Sequence, residues 1–162
     1  MKVTIGRMRI AAAALGLGGA LIALPATAQE AGSAYRDMEA TLGLVPTFFK
    51  LFPAEGIDGA WAEFKTVQLN PKTELSGKMK ELIGLAVAAQ IPCSYCVYFH
   101  SAAARANGAT EGEIKEAVAM AAITRHWSTV LNGMQVDPAT FRQETDTVLR
   151  LAAEKAKSTA AK

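Results

Sequence analysis

Apolar residues in the second half of the chain recur at the period of a helix. Leu75, Met79, Leu82, Ile83 and Ala86 repeat every 3.6 residues along one face, and hardly any stretch alternates apolar and polar at period two. The spacing predicts a helix from about Ser76 to Gln90. Leu85 and Val87 extend its apolar surface around much of the circumference, which places it centrally or at a subunit interface. Thr110 and Glu113 form a Thr-x-x-Glu capping box, and Asn107-Gly108 before it supplies a left-handed end for the preceding helix. Leu131-Asn132-Gly133 closes one helix, and Asp137-Pro138 opens the next with an N-cap and a first-turn proline. That last helix runs into an alanine- and lysine-rich tail expected to fray. The predicted class is all-α.

Upstream, Pro46, Pro53 and Pro71 divide residues 34 to 75 into short helical pieces, with Phe48, Phe49, Phe52, Trp61 and Phe64 expected in their packing. Neither a linker nor an internal repeat interrupts the chain before its tail. Its 162 residues suit one domain better than two.

The first 28 residues read as a cleaved export signal. Lys2, Arg7 and Arg9 precede an apolar run of 15 residues, Ile10 to Leu24, and Ala26-Thr27-Ala28 offers small residues where a signal peptidase reads them. The run is short for a bilayer, which needs about 20 residues. The mature chain is therefore expected to be Gln29 to Lys162, exported to a periplasm, and free of the membrane after cleavage. Without the leader the chain carries 14 basic and 15 acidic residues, a near-neutral balance that argues against nucleic acid as a partner.

Export changes the reading of the two cysteines, because thiols pair in an oxidising compartment. Cys93 and Cys96 follow Pro92, the break between two helices, and His100 lies one turn further on. On a helix these three side chains fall in a sector about 60° wide. A spacing of three also puts the cysteine Cα atoms about 5 Å apart, within disulfide reach. If the helices fold back about Ile91 and Pro92, Glu81 comes level with His100. A carboxylate fixes the tautomer of the imidazole and raises its basicity, and the imidazole takes a proton from Cys96. The positive end of the helix favours the thiolate. Glu81, His100, Cys96 and Cys93 then form a relay ending in a thiolate with a resolving thiol beside it.

The pattern Glu-x11-Cys-x-x-Cys-x3-His, set in Lys80-Glu81-Leu82-Ile83-Gly84-Leu85-Ala86-Val87-Ala88, resembles the alkyl hydroperoxidase D-like branch of the carboxymuconolactone decarboxylase family. The resemblance covers roughly residues 41 to 133, including Gly43-Leu44-Val45-Pro46 and the Trp61 region. It implies a helical fold in oligomers of three or six chains, and a thiol site that reduces small hydroperoxides without a cofactor or metal. By that resemblance Cys96 attacks the peroxide and becomes a sulfenic acid, Cys93 resolves it to a disulfide, and Glu81 and His100 relay the proton. This sequence departs from the family by placing Tyr95 where a second His often stands between the cysteines. Tyr95 is a poor base near neutral pH. Outside the cytosol the thiol reductant is unidentified.

Other readings of these residues stay open. The cysteines could form a structural bridge, although so small a loop constrains the unfolded chain little. Zinc would find two thiols and His100, with only Glu81 for a fourth ligand. Haem attachment is excluded, because Val97 follows Cys96 where a His is required. The same pair could exchange disulfides with other molecules, and a non-redox decarboxylase-like protein would not need it. His126, beside Trp127, reads as structural with a possible place in the pocket alongside Tyr95. Arg125 reads as a solvated charge.

Overall fold

A computed structural model describes residues 26–160; the segment read as an export signal lies outside the described residues up to position 25. The described residues are helical, with no strand among them. They comprise α1 (Ala26–Leu42), a 3-10 turn (Thr47–Leu51), α2 (Ile57–Glu63), a π-helical turn (Phe64–Gln68), α3 (Gly77–Gln90), α4 (Ser94–Ala106), α5 (Glu111–Gly133) and α6 (Pro138–Ala160). The chain divides between Ala62 and Glu63 into two compact units.

The first unit buries Ala34, Met38, Phe49, Ile57 and Trp61. Phe49 meets the Trp61 ring edge-on at 5.6 Å, and the indole N–H donates to Asp37 Oδ2 at 2.6 Å. The pieces between the prolines are short, as expected. Two of the aromatics expected in the packing are only at its margin: Phe48, whose ring lies 4.3 Å from that of Phe49, and Phe52 are exposed. Aromatic spacing alone does not reveal which side of a single 3-10 turn faces inward.

The second unit is built on α3, which packs against α4 and α5. Ser76 caps α3 by accepting the Met79 N–H at 3.2 Å. The capping box of α5 is complete, with Glu113 N donating to Thr110 Oγ1 and Thr110 N to Glu113 Oε2. Gly108, at φ 81°, provides the left-handed turn after α4. At the end of α5 the left-handed position falls on Gln135, φ 52°, rather than on the Asn132-Gly133 pair. Asp137 caps α6 through the Thr140 N–H at 2.7 Å.

The face that α3 buries differs from its most obvious stripe. Leu75, Met79 and Ile83 are exposed and Leu82 and Ala86 half-buried, whereas Glu81, Leu85 and Ala88, at i, i+4 and i+7, are buried. Leu85 joins Ala104 of α4 and Ile114 of α5 in the core. Small residues on this face let the helices approach closely, and a buried carboxylate is tolerated there because it is bonded.

Candidate thiol site

The site starts at the turn between α3 and α4. Ile91 and Pro92 follow the last turn of α3, and Cys93 N donates back to the Ala88 carbonyl at 3.1 Å. Cys93 therefore precedes α4 as its N-cap, in extended geometry at φ −95° and ψ 100°. Its Sγ accepts the Cys96 N–H at 3.2 Å, the place a capping oxygen usually takes. The two cysteines are joined in a disulfide with Cα atoms 5.3 Å apart. Both remain half-buried, within reach of a reagent from solvent.

The same turn sets α4 back along α3 and brings Glu81 against His100. Glu81 Oε2 lies 2.7 Å from His100 Nδ1, and Glu81 is only 4% exposed. An ionised carboxylate at that distance makes Nδ1 the donor, so Nε2 carries the lone pair. The other oxygen, Oε1, accepts from Gln68 Nε2 at 3.2 Å. The imidazole sits directly over Gly84, where a Cβ would collide with its Cε1, Nδ1 and Nε2 atoms. Phe99 meets it edge-on at 5.2 Å and itself lies against Phe64.

The frame around this pair is bonded at both ends of α3. At the start, Lys80 Nζ donates to the carbonyls of Val67 and Asn70 at 2.6 and 2.8 Å, holding the π turn on the helix. At the end, Arg125 donates to Gln90 Oε1 at 2.7 Å and to the Gln90 carbonyl at 3.3 Å, while Gln90 Nε2 donates to Ala121 O. Arg125 is thus not a solvated charge without a partner. It fastens the carbonyl end of α3 just before the cysteines, where a cation also meets the negative end of the helix.

Of the residues singled out from the sequence, Glu81 and His100 are in direct contact, Cys93 and Cys96 are bonded to each other, and the remaining two are on the surface. Tyr95 is 87% exposed and His126 is exposed, its ring edge-on to Trp127 at 5.3 Å. No group of three or more His, Cys, Asp or Glu side chains among the described residues is placed to hold a metal ion. Sequence reasoning missed Gln68, which no motif announces 13 residues before Glu81. Gly84 does leave a signal, because an isolated glycine inside a helix is itself a sign of close approach.

Three comparisons bear on this geometry. The model of the carboxymuconolactone decarboxylase family matches residues 56–137. The chain matches none of the curated proteins. Among solved structures it is similar to the alkylhydroperoxidase AhpD core from Rhodospirillum rubrum, with 28% sequence identity and a TM-score of 0.59. That match covers 78% of this chain and 98% of the other.

Proposed function

Because this chain belongs to the carboxymuconolactone decarboxylase family, in its alkyl hydroperoxidase D-like branch, we propose that it is an exported thiol peroxidase that reduces organic hydroperoxides at Cys93 and Cys96. The observation that carries the reading is the 2.7 Å contact of Glu81 with His100, on the helix that bears the disulfide. His100, with Nδ1 engaged, takes the Cys96 proton at Nε2. The Cys96 thiolate attacks the distal peroxide oxygen, the O–O bond breaks, and the alkoxide leaves as the alcohol once protonated. Cys96 is then a sulfenic acid. Cys93 attacks its sulfur, the disulfide forms and water is released. A dithiol donor returns the two electrons.

The Cys96 N–H on Cys93 Sγ supports the resolving role, since it holds the Cys93 sulfur at the start of α4 beside Cys96. The same placement fits a second reading, disulfide exchange, in which Cys93 is the sulfur that leaves when the bridge is attacked. Export rests on the basic residues, apolar run and Ala-Thr-Ala of the first 28 positions. No helix among the described residues is long and apolar enough to cross a membrane. Assembly of three or six copies is supported by apolar side chains left exposed on two helices of the second unit: Met79, Ile83 and Val87 of α3, and Met120, Ile123, Trp127 and Val130 of α5.

The test is intact-mass kinetics of the reduced mature chain, Gln29 to Lys162, with a small organic hydroperoxide. Loss of two hydrogens orders of magnitude faster than for a free thiol, and stopped when Glu81 or His100 is replaced, supports the peroxidase. A rate no greater than a free thiol's, with faster reduction of insulin or glutathione disulfide, selects exchange.

A further inference from the structure

We infer that Gln68 is a positioning residue for the proton relay, acting through Glu81; the inference deepens the peroxidase reading and rests on it for its kinetic consequence. A carboxylate with one oxygen bonded can rotate and offer either oxygen, or a poorly aligned lone pair, to the imidazole. With Oε1 held by the Gln68 amide at 3.2 Å, Oε2 is the oxygen left for His100 Nδ1 at 2.7 Å. Glu81 is buried at 4% exposure, so neither bond is readily replaced by bulk water.

The backbone around Gln68 is built for the same end. Gln68 closes a π-helical turn, Phe64 to Gln68, sealed by Leu69 N donating to the Phe64 carbonyl at 3.2 Å. Such turns are rare and recur at functional sites because they re-aim one side chain. Lys80, the neighbour of Glu81 on α3, donates to the carbonyls of Val67 and Asn70 on either side of Gln68. Consecutive residues of α3 thus hold the backbone on either side of the glutamine and use its side chain. A glutamine also suits the task because its amide donates without bringing a charge. A cation there would compete with His100 for the carboxylate.

The experiment compares Gln68→Leu and Gln68→Glu with the parent chain, all reduced and with helical content confirmed by circular dichroism. The first readout is the nitrogen-15 spectrum of the His100 imidazole, which distinguishes the Nδ1-protonated from the Nε2-protonated tautomer whatever the protein's activity. The parent is expected to hold the Nδ1-protonated form, and Gln68→Leu a mixture. The second readout is disulfide formation with a small organic hydroperoxide, expected to slow about tenfold in Gln68→Leu, the size of a lost hydrogen bond to a charged group. In Gln68→Glu the second carboxylate is expected to slow it further, through repulsion of Glu81. Unchanged His100 spectra in both folded variants would overturn the role of Gln68. A shifted tautomer in a protein that never oxidises quickly would keep the positioning and sink the peroxidase reading.

Discussion

Gly84 and His100 are in such close approach that a single methyl on the glycine would overlap the imidazole. The helix interior forgoes about 1 kcal/mol of helix propensity at this position, and what it gains is room for the ring beside Glu81. Gly84→Ala is therefore expected to displace His100 and slow peroxide-driven disulfide formation at least tenfold, read by stopped-flow or intact mass. Overpacking costs about 1–3 kcal/mol, so propensity only partly offsets it and thermal stability should fall. An alanine variant that oxidises like the parent would show that the ring has no fixed seat.

Glu81→Gln keeps the shape and the burial but removes the charge that orients Nδ1. Positioned proton transfer contributes about 10²–10⁴-fold, and a loss of about 100-fold in the oxidation rate is expected with little change in circular dichroism. His100→Gln should fall as far, and the double variant little further, because the two act as one unit. Additive losses would place the residues in separate roles.

In Cys93→Ser the sulfenic acid on Cys96 has no resolving partner. One equivalent of hydroperoxide is expected to add a single oxygen to the mass, which a dimedone-type trap then captures. Trapping on Cys93 in a Cys96→Ser variant, at the same speed, would reverse the assignment.

The start of α5 carries a pH dependence of known sign. The Lys78 ammonium, then the Thr110 N–H, hold the Glu113 carboxyl below its ordinary range. A carboxyl depressed by folding contributes stability fully present above its ordinary value and lost as the pH falls through the folded value. Acid should loosen the start of α5, and Glu113→Gln should flatten that part of the stability profile in thermal melts below pH 5. Thr110→Ala removes the other half of the box and is expected to cost about 1 kcal/mol at neutral pH.

Light scattering tests the exposed faces. The mature chain is expected to run as a trimer or hexamer, and Ile123→Glu with Trp127→Glu to dissociate it by burying charge at an apolar contact. A monomer in the parent chain would remove the assembly from the proposal.

Local chemistry made much of this protein legible. The helix caps at Thr110, Gly108 and Asp137 depend on neighbours within a few residues, so the sequence alone could place them. The alignment of Glu81 with His100 followed from a single break at Pro92 between two helices of known rise. Which face of α3 turns inward, that Phe48 and Phe52 stay exposed, and that Arg125 finds Gln90 were decided only by the tertiary structure. Each depends on residues distant in the chain competing for the same space: the larger stripe of Met79 and Ile83 lost to the smaller one that admits α4 and α5. Gln68 and the seat at Gly84 belong to the same class. A hydrogen bond between residues 68 and 81, or a ring resting on a bare Cα, leaves no periodic trace, because its partners meet only once the chain has folded.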